Sequence, residues 1–257
     1  ALEAGLDGLT VECPGYTVVD GQVFRCASGT AHGTVDLAAA LEKSCNGYFI
    51  RLGQALGAET VLDAARQLGF GRRVRVAGSL QSAAGVLPAL DTLGASGQLA
   101  NFSFGQGQLL ATPLQVAAMM NTIAAGGVYR APSFLLRTLD EATGETQESA
   151  SLPAARQVFS ASTAQRLQKL LAGVVAEGTG REAAPLYGDA AGKTGTAQTG
   201  QFTASGEEKM NLWFAGFCPA GDPQYTVVVL QDGQTQPAHS SAAVFAQVCE
   251  ALWLLEQ

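Results

Sequence analysis

The feature that most limits how this chain can fold is a change of hydrophobic period along it. From Thr34 to about Gly127, the segments "TVDLAAALEKS", "GYFIRLGQALG", "ETVLDAARQLGFG" and "TPLQVAAMMNTIAAGG" space apolar residues by three and four and stop at glycine, the signature of amphipathic helices. Thr112 followed by Pro113 and Gln115 gives the last of these a capped start. Past a polar excursion with strand character, "PSFLLRTLDEATGETQESASLPAARQVF", a further helix is expected from about Ser162 to Ala176. Beyond it the chain turns strand-like. "MNLWFAGFCP" and the β-branched "QYTVVVLQD" read as strands, and "SSAAVFAQVCEALWLLE" as an apolar helix able to cover a sheet face. With 257 residues, 47% of them apolar, and no repeat or low-complexity linker, the chain suits one α/β or α+β core. The single domain, 1–257, divides into a helical half at about 30–130 and a sheet with its terminal helix at about 155–257.

Charge narrows the partners. The net charge is −7, and the 11 arginines and four lysines are scattered, so neither nucleic acid nor an anionic membrane surface is an expected partner. A polymer served by this chain would be uncharged or cationic. No run of about 18 apolar residues is present to span a bilayer. The opening "ALEAGL" reads as the tail of a helix, which implies sequence upstream.

Five cysteines leave at least one unpaired. Cys13 and Cys26 flank "PGYTVVDGQVFR", a hairpin with Asp20-Gly21 at its turn. That turn sets the two cysteines diagonal rather than opposite, leaving a bridge between them open. Cys218 and Cys249 read as small buried hydrophobes. His32 has no evident Asp or Cys partner in the sequence and reads as a capping or packing residue; His239, in a polar loop, reads as solvated. There is no metal-ligand spacing and no phosphate loop, so no metal and no cofactor is expected.

One lysine stands in an unusual setting. Lys193 lies in "AGKTGTAQTG", between small residues; alone, such a lysine suits a solvated turn. About 150 residues upstream, Ser44 and Asn46 form a Ser-x-Asn between two helices; alone, they suit helix capping. In order, however, the chain presents Ser44-Cys45-Asn46, then Gly178-Thr179-Gly180, then Lys193-Thr194-Gly195 opening a strand, then "WFAGF" and a final helix. On these motifs, and on "HGTVDLAAALEKSCN", "SFGQGQLLATPLQVAAMMNTIAAGG" and "AEGTGREAA", the sequence resembles the transpeptidase domain of penicillin-binding proteins, of the class B type, along its whole length.

The resemblance implies an α+β fold, an antiparallel sheet flanked by helices plus an all-helical subregion, as in β-lactamases and transpeptidases. It implies a peptidoglycan D,D-transpeptidase that cross-links stem peptides through a serine acyl-enzyme and binds β-lactams, serves cell division or cell shape, and sits on the extracytoplasmic face of the bacterial membrane through an N-terminal anchor. Within that family pattern, Lys193 and Thr194 hold a substrate carboxylate, Gly195 lets the peptide approach, and Thr196 supplies an oxyanion N–H and a further hydroxyl. Ser44 relays a proton to the departing amine; Asn46 donates to substrate and orients the lysine of the nucleophile motif.

That nucleophile motif, Ser-x-x-Lys, is not in this chain. Three residues before Lys43, Lys169, Lys193 and Lys209 stand Ala40, Arg166, Ala190 and Gly206. The resemblance implies an N-terminally truncated domain whose nucleophile lies about two helical turns before Ala1. On its own the chain is then expected to form no adduct with penicillin. A non-catalytic pseudo-transpeptidase or β-lactam sensor, and a serine β-lactamase, remain as other readings. In the family the sheet has five strands, two of them preceding the nucleophile helix. Three strands near 191–199, 209–218 and 224–232 would remain as a meander, its "YTVVVL" edge open to a complementing polypeptide or an oligomer.

Overall fold

A computed structural model describes residues 1–94, 97–148 and 153–255. The stretch 149–152 of the polar excursion and the last residues of the terminal-helix segment lie outside the described residues. "ALEAGL" forms a single 3-10 turn, Leu2–Ala4, closed by Gly5 in the left-handed region.

Short elements come first. β1 (Val11–Cys13), the hairpin of β2 (Tyr16–Val19) and β3 (Gln22–Arg25), and β4 (Gly33–Val35) lead into helix α1 (Leu37–Glu42). Val19 pairs with Gln22, so Asp20-Gly21 is the turn, with both residues at positive φ as a two-residue hairpin of this kind requires. β1 pairs antiparallel with β4, not with the hairpin, which brings Cys13 opposite Gly33. Then follow α2 (Asn46–Leu56), α3 (Ala58–Gln67), the ribbon β5 (Arg75–Ala77) and β6 (Leu80–Gln81), α4 (Leu90–Leu93), α5 (Gln98–Ser103) and α6 (Pro113–Ala124). The α6 start has the expected capping box: Thr112 Oγ1 accepts from Gln115 N–H at 3.1 Å, and Gln115 Oε1 accepts from Thr112 N–H at 3.0 Å.

The polar excursion forms two ribbons. β7 (Val128–Arg130) pairs with β10 (Ala155–Gln157), and β8 (Arg137–Leu139) with β9 (Thr146–Glu148). Helix α7 (Ala161–Ala176) follows, capped by Ser160, and leads to the main sheet of β11 (Ala191–Phe202), β12 (Glu208–Cys218) and β13 (Tyr225–Gln234). Helix α8 (Ser241–Leu255) closes the described chain.

The sheet is an antiparallel meander in the order β11-β12-β13. Its two faces alternate as period 2 demands. Phe214 and Cys218, with Val227 and Val229, pack under Ala242, Phe245 and Cys249 of α8. Ala191, Ala215, Phe217 and Val228 face Met120 and Ile123 of α6 and Leu171 of α7. The register sets Gly192 opposite Gly216. A methyl group on Gly216 would lie 2.4 Å from Ala191 O and 3.0 Å from the Phe245 ring, so glycine here lets α8 seat its phenylalanine against the backbone. The layers are thus helix, sheet, helix, with α6 and α7 joining the sheet to the helical half. The fold class expected from the sequence stands.

Candidate functional site

The open edge of β11 faces the helical half, and there the sequence motifs meet. The Lys193 ammonium donates to Ser44 Oγ at 3.1 Å, to Thr194 Oγ1 at 3.0 Å and to Thr194 O at 3.1 Å, with Thr179 Oγ1 at 3.4 Å. Thr179 and Thr194 hydroxyls are 3.0 Å apart. A cation, three hydroxyls and a carbonyl therefore share one cleft. Burial holds the Lys193 amine down at about 8, from an ordinary lysine value of 10.5. Among the described residues its partners are neutral oxygens, which leaves its charge available to an incoming anion.

Each motif is held by its neighbours. Ser44 sits at φ +54, a left-handed position uncommon outside glycine, between the end of α1 and the start of α2. It is fixed there by Ser44 N–H to Leu41 O at 3.3 Å and Cys45 N–H to Ala40 O at 2.9 Å. Thr179 N–H donates to Glu42 O at 2.9 Å, which fastens the Gly-Thr-Gly turn after α7 to the segment that presents Ser44. Gly178 is required at this crossing, since a methyl group on it would stand 2.6 Å from Glu42 O.

Across the cleft, Gln106 Nε2 donates to Thr196 O at 3.1 Å, so the Thr196 carbonyl points away from β12. In an extended strand the N–H and C=O of one residue point to the same side, which aims the Thr196 N–H at the cleft as well. Gly195 is open: a methyl group on it would meet Trp213 Cβ at an ordinary 3.4 Å.

The structure brings Ser44, Lys193 and Thr194 into direct contact and puts Thr196 and Gly195 on the same strand edge. Asn46 is placed differently. It opens α2, but its amide donates to Arg25 O at 2.9 Å, so it braces the Ser-x-Asn turn against the β3 end. Two residues escaped the sequence reading. Thr179 was visible only as the middle of a Gly-Thr-Gly, and Gln106 only as part of "FGQGQLL", with no signal for its reach over 90 residues.

The bridge that the sequence left open is not formed. Cys13 and Cys26 are thiols with their sulfurs 3.6 Å apart, not a bridge. His32 does have a cysteine partner, its Nδ1 lying 3.6 Å from Cys13 Sγ. The pair was hidden because β1–β4 pairing, not sequence proximity, sets His32 beside Cys13. Exposed His239 sits in its loop as read.

A family model described as "Penicillin binding protein transpeptidase domain" matches residues 1–250. The chain is 35% identical over 219 residues to stage V sporulation protein D of Bacillus subtilis, covering 85% of this chain and 33% of that protein. It is 30% identical over 263 residues to the peptidoglycan D,D-transpeptidase MrdA of Acinetobacter baumannii, covering 94% of this chain and 38% of the other. It thus spans well under half the length of these curated relatives. Among solved structures, penicillin-binding protein 3 of Mycobacterium tuberculosis superposes with a TM-score of 0.85 at 30% identity, over 99% of this chain and 60% of that one. The same protein has been solved in complex with aztreonam.

Proposed function

The chain belongs to the penicillin-binding protein transpeptidase-domain family, and from that premise we propose that its β11 cleft is the carboxylate-recognising side of a peptidoglycan D,D-transpeptidase site, also open to β-lactams. The observation that carries this reading is the Lys193–Ser44 contact at 3.1 Å. A cation that has no carboxylate partner among the described residues, flanked by Thr194 and Thr179 hydroxyls, matches the terminal carboxylate of a stem peptide. The peptide lies along β11 beside Gly195, displacing Gln106 from Thr196 O. Its scissile carbonyl then meets the Thr196 N–H, a donor fixed in advance by the strand.

The nucleophile is a serine of a Ser-x-x-Lys segment outside these 257 residues. Its oxygen forms the acyl bond as the carbon–nitrogen bond to the terminal residue breaks. Ser44, hydrogen-bonded to Lys193, passes a proton to the leaving amine. An acceptor amine from a second stem peptide then takes the acyl group and releases the serine. Such a domain works on the extracytoplasmic face of the membrane, held by an anchor outside this chain. COOH-terminated and amidated stem peptides test the reading with the full-length protein: cross-linked product should form from the free acid, and Lys193→Ala should abolish it. Equal turnover of the amidated peptide, or an unaffected Lys193→Ala variant, contradicts it.

A further inference from the structure

An open strand edge recruits other chains, because its N–H and C=O groups lack backbone partners. β11 is an outer strand of the main sheet, and on its cleft side the protein covers that edge with its own side chains. Thr196 O accepts from Gln106 Nε2 at 3.1 Å. Residues two apart on a strand present their backbone groups to the same side, so Thr194 O faces the cleft as well, and it accepts from Lys193 Nζ at 3.1 Å. Both carbonyls that a peptide laid along this edge would use are thus already taken. The two caps differ in origin. Lys193 belongs to β11 itself, whereas Gln106 reaches over from the loop after α5.

The Gln106 cap can leave without disturbing the loop that carries it. Its backbone is fixed, with Gln106 N–H donating to Asn101 O at 2.9 Å. Gly105 and Gly107 on either side stand at φ +82 and +79, the left-handed conformation that turns the loop sharply at this residue. Among the described residues the Gln106 carboxamide makes this one hydrogen bond, so rotating the side chain releases it. A carboxamide N–H and a peptide N–H are the same kind of donor. Exchanging one for the other on Thr196 O therefore breaks and makes bonds of equal worth.

Taking β11 as the peptide-binding edge proposed above, we infer that Gln106 is a built-in peptide surrogate. Its side chain holds the place on Thr196 O that the backbone N–H of an acyl-donor strand needs, so each stem peptide or acylamino β-lactam that enters the cleft displaces it. Binding then gains no net bond at Thr196 O, because the ligand's bond replaces one that the free protein already has. After acyl transfer the exchange runs backwards. Gln106 returns to Thr196 O, closes the edge and helps the cross-linked strand to leave. Gln106 thus lowers affinity for bound strands without touching the reacting carbonyl, and its removal acts on KM rather than kcat.

The full-length protein tests this with Gln106→Ala and with Gln106→Met, which keeps the length of the side chain and removes its donor. Both variants should be acylated by benzylpenicillin, whose side-chain amide supplies an N–H, about 2–10-fold faster than wild type at low drug concentration, the worth of one hydrogen bond. Both should lower KM for a COOH-terminated stem peptide by a similar factor at unchanged kcat. In case the variants fail to fold, the wild-type protein carries a second readout by NMR: the Gln106 carboxamide protons should exchange slowly in the free protein and faster once it is acylated. Lys193→Ala is measured alongside. Gln106 variants that acylate no faster than wild type while Lys193→Ala is inactive, or carboxamide exchange that acylation leaves unchanged, overturn the surrogate role and leave the cleft assignment standing. Wild-type acylation of Lys193→Ala overturns the cleft assignment itself.

Discussion

The Lys193 ammonium reaches Ser44 Oγ at 3.1 Å across 149 residues of sequence, joining the strand edge of β11 to the turn between α1 and α2. In the proposed site this contact would couple carboxylate recognition by Lys193 to proton relay by Ser44. Lys193→Met keeps the aliphatic stem and removes a buried charge whose burial is unfavourable, as its lowered pKa shows. In the full-length protein it should leave the melting temperature unchanged or higher, while β-lactam acylation falls by at least about a hundredfold, the loss of a charge-assisted carboxylate contact. Calorimetry alongside stopped-flow acylation checks both limbs.

The same amine sets a pH dependence. With its value lowered to about 8, Lys193 loses its proton as pH rises through 8, so the acylation rate should show a descending limb there. The stability effect has the opposite sign. Between about 8 and 10.5 the unfolded chain holds a proton that the folded chain has released, so this group makes stability rise with pH over that window. Lys193→Arg should move the kinetic limb above the accessible range, because guanidinium keeps its charge. A limb that stays at 8 in Lys193→Arg assigns it to another group.

Two glycines of the sheet should behave in opposite ways. Gly216→Ala forces a methyl group to 2.4 Å from Ala191 O, a backbone atom that cannot move alone, and should cost about 1–3 kcal/mol or more in urea unfolding. Gly195→Ala meets only Trp213 at 3.4 Å and should unfold at nearly the wild-type midpoint. Its defect, if Gly195 serves close approach of the peptide, appears in KM for the stem peptide instead.

Gln106 ties the helical half to β11 by a single hydrogen bond to Thr196 O. Gln106→Ala should lower stability by about 0.5–1.5 kcal/mol, the net worth of one such bond. Amide exchange should rise along the β11 edge and leave α8 unchanged. Uniform loosening of the whole sheet would argue against a local tie.

Much of this was legible in the chain because local chemistry wrote it. The Thr112-Pro113-Gln115 start of α6, the Asp20-Gly21 turn and the β-branched run of β13 each carry their own signal, and each stands where the pattern put it. Ser44, Lys193 and Thr194 were legible as an ordered set of motifs. What was not legible depends on long-range pairing. His32 meets Cys13 through the β1–β4 register, Thr179 meets Thr194 through the packing of α7 against β11, and Asn46 turns to Arg25 because the β3 end passes beside it. No spacing within one segment encodes such meetings.

Fluorescent-penicillin labelling with peptide mapping tests the central claim most directly. The 257-residue chain alone should take no label. If the proposal holds, a longer chain that carries a Ser-x-x-Lys segment ahead of Ala1 should label stoichiometrically at that serine, and Lys193→Ala in that longer chain should suppress it. Stoichiometric labelling of the 257-residue chain at a residue of its own, Ser44 or Cys45 included, would contradict the account.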